Sequence, residues 1–329
     1  MEEIKSNDYS IWVGEDLESQ LNLKTYSKIA ILVDENTKKY CLKLIPKLNN
    51  ILIIEISSGE KNKNLNTCVL IWNKLLKNNF DKNSVIINLG GGLICDLGGF
   101  CASGFKRGID YINLPTSLLA MVDASFGGKI GVNHNNYKNQ IGFFENPKQV
   151  IINHKFLSTL PKDEFNSAFG EIVKHALIGD SKLWKRLLKN KIQNLNIEDI
   201  IIKSVQLKNA IILKDFKEGN ERKKLNFGHT FGHAIESYYM SKGTAILHGY
   251  AVLLGILCEI EISNLSLKEK VEIRNYISNN FQLPDMPKKN KLFNFIKQDK
   301  KNLCERINFS LLNGIGNCTV DNLFNINEL

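Results

Sequence analysis

The sequence has no CxxC pair, no apolar run of membrane-spanning length, no internal repeat and no low-complexity linker. Each absence excludes something. The cysteines, at positions 41, 68, 95, 101, 258, 304 and 318, are odd in number and scattered, so neither a secreted disulfide framework nor a thiolate zinc site is expected. They read as small buried hydrophobes. The first ten residues, MEEIKSNDYS, are acidic and polar and do not resemble a signal peptide; a cytoplasmic protein with no membrane partner is expected. The dinucleotide fingerprint GxGxxG is missing, because Cys95 stands where its third glycine belongs, and there is no P-loop. HExxH is missing as well: Thr230 follows His229, which excludes a zincin-type protease.

What is present describes an ordinary globular chain of 329 residues, 43% hydrophobic and 23% charged, long enough for two domains. Lys and Arg number 43 against 34 Asp and Glu, a net charge of +9. The basic residues are spread along the chain. Runs such as KKNK at 288–291 are short and read as solvated faces, so no nucleic-acid partner is expected. A small acidic substrate is one partner that suits such a balance.

Up to about residue 160, short β-rich runs alternate with helical stretches. KIAILVDENT (28–37) reads as a strand ending in a polar turn, and NILIIEISSGE (50–60) as a strand with a loop behind it. LNTCVLIWNKLLKNNF (65–80) has helical periodicity. SVIINLGGG (84–92) is a buried strand running into a glycine turn, and YINLPTSLLA (111–120) is a strand followed by a helix. That alternation predicts a parallel, doubly wound sheet. Longer helical patterns then take over, among them DEFNSAFGEIVKHALI, NIEDIIIKSVQLKNAIILKDF and HGYAVLLGILCEIEISN, while INFSLLNGIGNCTV at the end reads as β. The expected division is an α/β domain over 1–160 and a helical domain over 161–329.

Gly90, Gly91 and Gly92 follow a strand directly, where glycines let backbone amides approach a phosphate; a tight strand–helix turn explains them equally well. Asp34, at the end of a strand, suits either a ribose contact or a helix cap. Three of the six histidines, His229, His233 and His248, lie within twenty residues of one another. Imidazoles from two helices with a carboxylate, Glu171 or Glu236, would make an open zinc-type site. His229 and His233 share one helix face, and Glu171 and His175 form a second pair with the same spacing. Spacing alone therefore does not choose the ligands, and packing in an apolar core is the alternative.

LGGGLICDLGGFCASGFKRGI, LPTSLLAMVDASFGGKIGVNH, YKNQIGFF, GEIVKHALI, LNFGHTFGHAIE and LHGYAVLLG occur in that order. Together they resemble the 3-dehydroquinate synthase family over most of the chain, from about Val33 to Lys301. The resemblance implies a Rossmann-like NAD-binding domain, a helical metal-binding domain, one zinc or cobalt ion per chain and a homodimer. It implies a sugar acid phosphate substrate, 3-deoxy-D-arabino-heptulosonate 7-phosphate. NAD would take hydride from its C5 carbinol, phosphate would leave, the hydride would return, and the opened ring would close by an aldol step. The product would be 3-dehydroquinate, on the shikimate route to aromatic amino acids.

By the same resemblance the metal ligands are Glu171, His229 and His248, while His233 and Glu218 handle protons. Lys129, Lys174, Arg222 and Asn226 serve catalysis and substrate binding together. Arg107, Asp123, Asn139, Lys208 and either Lys300 or Lys301 complete the substrate contacts. NAD contacts fall on Asp34, Glu35 and Asn36, on Glu60 and Lys63, and on Gly91, Gly92, Leu93 and Asp96. Thr116, Ser117, Lys138 and the run Phe156, Leu157, Ser158 and Thr159 complete them. The chain departs from the usual pattern at Phe216 (commonly acidic), Asn220 (commonly Gly), Ile130 (Thr), Tyr137 (Gly) and Phe143 (Ala). It also has Ala168 and Gly170 where the usual order is Gly then Ala. The alternatives are a related cyclase such as a 2-deoxy-scyllo-inosose synthase, a metal-dependent polyol or glycerol phosphate dehydrogenase, and a basic binding protein with a structural metal.

Overall fold

The computed structural model describes residues 1–135, 137–296 and 306–325. The chain divides into two compact units, Met1–Pro161 and Lys162–Leu329. The first is α/β and the second mainly helical, the class that the sequence patterns predict. Among the described residues no helix is long and apolar enough to cross a membrane.

The first unit contains β1 (Glu2–Lys5), β2 (Ser10–Val13), β3 (Ile29–Asp34), β4 (Ile51–Ile56), β5 (Val85–Gly90), β6 (Asp110–Pro115), β7 (Lys129–His134), β8 (Tyr137–Phe144) and β9 (Gln149–Ile152). Seven of these form one sheet in the order β1-β2-β9-β6-β5-β3-β4, parallel throughout except for the β1–β2 pair. β5, VIINLG, is buried at every position. A central parallel strand is covered on both faces, which is why it reads as a continuous apolar run. From β3 the chain turns to β4 on one side, and from β5 to β6 on the other. That reversal is a topological switch point, the place where open α/β sheets take ligands beyond the carboxyl ends of their strands.

Helices α1 (Leu17–Gln20), α2 (Glu35–Tyr40), α3 (Leu65–Lys77) and α4 (Gly92–Gly104) flank the sheet. The polar stretch after β3 is the first turn of α2 rather than a loop. Asp34 caps it, its side chain accepting from the Thr37 amide while the Thr37 hydroxyl oxygen accepts from the Asp34 amide. The helix expected after β6 contains a single π-helical stretch, Ala120–Ala124. The β7–β8 hairpin has no counterpart in the sequence reading, because β8 is exposed at nearly every position and shows no alternation. Two departures from the family pattern find their reason here. Ile130 packs on α4 at Gly99, where a methyl group would lie 2.7 Å from it, and Phe143 stacks on Phe100 with ring centroids 5.1 Å apart.

The second unit contains α5 (Lys162–Gly179), α6 (Ser181–Lys189), α7 (Ile197–Lys214), α8 (His229–Ser241), α9 (His248–Ile262), α10 (Leu267–Asn280), α11 (Lys289–Ile296) and a hairpin of β10 (Arg306–Leu312) and β11 (Cys318–Asn325). Phe231, Ile235, Leu254, Leu292, Ile307 and Phe309 lie in its core. Helix α9 meets its neighbours through glycine. A methyl on Gly170 of α5 would overlap the Gly249 carbonyl and sit 2.9 Å from its carbon. One on Gly255 would overlap the Gly228 carbonyl and sit 2.8 Å from the Gly232 nitrogen. Backbones therefore touch where side chains would ordinarily hold helices 8–10 Å apart. This explains the Ala168, Gly170 order, since the crossing point falls on position 170. Gly170→Ala is expected to destabilise the protein by about 1–3 kcal/mol through overpacking. Thermal unfolding followed by circular dichroism checks it: a loss of roughly 2–12 °C in Tm is expected, and an unchanged Tm would contradict the crossing.

Candidate metal centre and active site

Three helices deliver three donors to one point. Glu171 sits mid-way along α5 and is fully buried; His229 and His248 are the first residues of α8 and α9. Glu171 Oε1 lies 3.5 Å from His229 Nε2 and 3.4 Å from His248 Nε2. The three donor atoms all fall within 4.8 Å of one another. Each far ring nitrogen has a partner. His229 Nδ1 donates to the Phe227 carbonyl at 3.1 Å, and His248 Nδ1 faces Glu236 Oε1 at 3.4 Å. Both rings are thereby turned with Nε2 toward Glu171.

These residues fit a divalent cation. Two ligands on one tetrahedral zinc, each at about 2.0–2.1 Å, stand about 3.4 Å apart. The observed separations match that edge and exceed an ordinary hydrogen bond. Among the described residues, neither Glu171 oxygen has a hydrogen-bond partner of good geometry although both are buried, and the Lys174 ammonium, one turn along α5, is the cation that pairs with it most closely. Burial would raise the Glu171 pKa, but Lys174 and the two imidazoles outweigh it and hold the carboxyl well below its ordinary range. Burial, then Lys174, pushes His229 well below its usual value, so its ring is neutral with Nε2 unprotonated. Burial opposes protonation of His248, but Glu171 on one side and Glu236 on the other push it up to about 10. A cation binding here must displace that proton.

His233 lies one turn beyond His229, half-buried, its ring edge-on to His229 with centroids 5.3 Å apart and 6.5 Å from that of His248. It belongs to the cluster without belonging to the donor set. His175, the other i, i+4 candidate, is buried behind Glu171 and bonded at Nδ1 to the Ser204 hydroxyl of α7 at 2.5 Å.

The segment between α7 and α8 carries Glu218, Arg222 and Asn226. Asp215 organises it, Oδ1 accepting from the Gly219 amide at 2.9 Å and Oδ2 from the Asn220 and Arg222 amides at 2.7 and 3.0 Å. Arg222 is buried and donates to the Phe216 carbonyl at 2.6 Å, so the backbone of that residue, whatever its side chain, holds the guanidinium. Glu218 takes the left-handed conformation, φ 63°, and Asn226 Nδ2 donates to its carboxylate at 2.8 Å. Lys208 is buried on α7. The sequence reading did not single out Asp215; its signal is an aspartate four residues before a Gly-Asn turn.

In the first unit the residues expected to hold NAD follow the carboxyl ends of adjacent parallel strands. Asp34 ends β3 and Glu35 and Asn36 follow it, Glu60 and Lys63 follow β4, Gly91 to Asp96 follow β5, Thr116 and Ser117 follow β6, and Phe156 to Thr159 follow β9. Lys138, by contrast, is on β8. The first turn of α4 has Gly91 as its cap, which has no side chain to bond its amides, the arrangement that suits a pyrophosphate. Several of these side chains already have partners. Asp34 caps α2, Glu35 accepts from the Ser58 amide and hydroxyl, and Glu60 accepts from Asn133. The Phe156 side chain is in the core, which leaves its backbone to meet a ligand. Buried Lys63 joins Asp96 at 2.5 Å and Asn139 Oδ1 at 2.6 Å, tying two expected cofactor residues to one expected substrate residue.

Lys129 opens β7 and Asp123 lies in the π-helical stretch. Arg107 is exposed and lines a different hollow of about 430 Å³ with Asp8, Lys82, Glu145 and Lys148. Lys300 and Lys301 lie outside the described residues.

The family model described as 3-dehydroquinate synthase N-terminal matches residues 53–167, and that described as 3-dehydroquinate synthase C-terminal matches residues 168–302. A 3-dehydroquinate synthase from Parabacteroides distasonis is 37% identical over 332 aligned positions, covering 96% of this chain and 94% of the relative. Among solved structures, 2-deoxy-scyllo-inosose synthase complexed with carbaglucose-6-phosphate, NAD+ and Co2+ superposes with a TM-score of 0.83 at 23% identity, covering 98% and 96% of the two chains. A 2-epi-5-epi-valiolone synthase from Streptomyces hygroscopicus subsp. jinggangensis with NAD+ and Zn2+ gives 0.84 at 21% identity, covering 98% and 95%. At that identity the two structures speak for the fold.

The three amides on Asp215 outweigh its partial burial and lower its pKa. A group whose folded pKa is depressed supports the fold above its unfolded value, about 3.9, and loses that support as acid protonates it. Asp215→Asn is therefore expected to speed hydrogen exchange at the Gly219, Asn220 and Arg222 amides by about ten-fold or more at pH 7. Wild-type protein should loosen in the same way only below about pH 4. Unchanged exchange in the variant would remove Asp215 as the organiser of this segment.

Proposed function

The chain belongs to the 3-dehydroquinate synthase family, and from that premise we propose how its residues divide the work. It is an enzyme of the sugar phosphate cyclase class that converts 3-deoxy-D-arabino-heptulosonate 7-phosphate to 3-dehydroquinate and phosphate. The alternative cyclase shares its fold at 23% identity. The observation that carries the assignment of roles is the meeting of Glu171, His229 and His248 at tetrahedral-edge distances, within a chain matched to one family from 53 to 302.

We assign those three residues as ligands of one zinc or cobalt ion, and the switch-point loops of the first unit as the NAD site. When bound, the metal supplies Lewis acidity at the substrate carbinol, and NAD a transient hydride acceptor. The chain's own residues do the rest. Lys174 holds its ammonium against Glu171 in a buried setting, where a charge acts on a bound anion with little screening. Arg222, fixed by Phe216 and Asp215, offers a planar fork to carboxylate or phosphate. Lys208, Lys129, Asn139, Asp123 and Arg107 are the remaining proposed substrate contacts, with Lys301 beyond the described residues. Asn226 orients the Glu218 carboxylate, which with His233 accepts protons during ring opening and closure. His233 suits this part because it adjoins the donor set without completing it. The same reading gives a cytoplasmic homodimer that binds neither nucleic acid nor membrane.

Incubation with the heptulosonate phosphate, NAD+ and zinc or cobalt is expected to release phosphate and carbocycle in equal amounts with no net NADH. Accumulating NADH without carbocycle would mark a dehydrogenase instead. His229→Ala is expected to lose bound metal and turnover together. His233→Ala should keep its metal and lose about 10²–10⁴ in rate. Atomic absorption and phosphate release measure both, and equal metal loss in the two variants would contradict the division of roles.

A further inference from the structure

Glu259 lies near the end of α9, fully buried, and none of the roles above uses it. Its Oε2 accepts from the Gly228 amide at 2.6 Å and its Oε1 from the Phe231 amide at 3.3 Å. These are donors at the start of α8, whose cap residue, Gly228, has no side chain to satisfy them. An anion at that end also meets the favourable pole of the helix. The decisive feature is which peptide it grips. The Gly228 N–H and the Phe227 carbonyl belong to the same peptide unit, and the Phe227 carbonyl is the group that accepts from His229 Nδ1. A single trans peptide thus presents its N–H to Glu259 and its oxygen to His229.

We infer that Glu259 is a positioning residue for the metal centre, acting on His229 through the Phe227–Gly228 peptide. The inference rests on the reading of Glu171, His229 and His248 as metal ligands. A charge-assisted bond at the N–H fixes the peptide plane and makes its carbonyl a better acceptor. The carbonyl in turn holds the His229 tautomer with Nε2 toward the cation, as outer partners of metal-bound imidazoles do. Gly228 lets the chain make the turn. Its φ is +79°, and a methyl there would lie 2.8 Å from Ile256 and 3.1 Å from the Val252 carbonyl. His248 has its own carboxylate, Glu236, directly on Nδ1. The two imidazoles are therefore each backed by a glutamate, one directly and one across a peptide bond.

The test uses the full chain, stripped with a chelator and titrated with Co2+ while its visible absorption is followed. Glu259→Gln keeps the shape and one acceptor but loses the charge. It is expected to weaken Co2+ binding by about 10- to 100-fold. Ser263→Ala serves as the structural control. Its hydroxyl donates to the Glu259 main-chain carbonyl and accepts from the Leu312 amide, so its loss loosens the same stretch and spares the relay; its Co2+ affinity is expected to stay wild-type. Should E259Q not fold, Glu259→Asp, which keeps the charge on a shorter arm, is expected to bind Co2+ at least about ten-fold more weakly. Wild-type Co2+ affinity in E259Q, or in E259D where E259Q does not fold, overturns the inference. So does equal weakening in S263A. A wild-type chain that binds no Co2+ overturns instead the metal reading beneath it.

Discussion

Glu171 holds its charge at a depth where an uncompensated carboxylate costs several kcal/mol, so what surrounds it has to be cationic, a proton donor or a fellow ligand. Lys174 meets one part of that demand from the same helix. The remainder falls on two imidazoles that begin two other helices. Their opposite pKa displacements express the crowding: one ring is driven to neutrality by burial and a neighbouring ammonium, the other kept charged between two carboxylates. On the reading proposed above, a divalent cation would resolve the conflict by replacing the His248 proton with a charge that all three side chains share.

The first unit meets a different demand. Its loops offer amides and small residues at one edge of a parallel sheet, and the Lys63, Asp96 and Asn139 cluster ties the helix after the glycine turn to the β7–β8 hairpin. Burial alone would raise the Asp96 pKa, and Lys63 beside it offsets part of that rise. The net direction is upward, so what holds the cluster together is its geometry, the Lys63 ammonium 2.5 Å from Asp96 and 2.6 Å from Asn139. A cluster of this kind, formed within the protein itself, lowers the ordering cost of binding any ligand that meets it.

How much was legible in the sequence depends on which interactions are local. β5 and β3 were readable as strands because their burial is uniform, and α5, α7 and α9 as helices because their apolar periodicity is long. Asp34 could not be resolved from spacing, since a cap and a ribose contact ask for the same residue at the same place; the bond to Thr37 shows the cap. The choice among His229, His233, His175, Glu171 and Glu236 was closed to periodicity because i, i+4 pairs on two helices are equivalent until the third helix is placed. Family motifs could rank them, but the reason for the ranking is geometric. Asp215 and Glu259 went unremarked, since an aspartate before a turn and a glutamate inside an apolar helix carry no local sign of what they hold.

Each of the three donors stands next in sequence to a glycine at which two backbones touch: Glu171 after Gly170, His229 after Gly228, and His248 before Gly249. Their coordinates are thus dictated by main chain pressed on main chain rather than by the fit of surrounding apolar side chains. Leucine-for-isoleucine drift in the core can be absorbed by repacking without shifting the donors. The mutational fragility of the centre is concentrated instead in a handful of hydrogen atoms, those that serve the crossing glycines in place of a side chain.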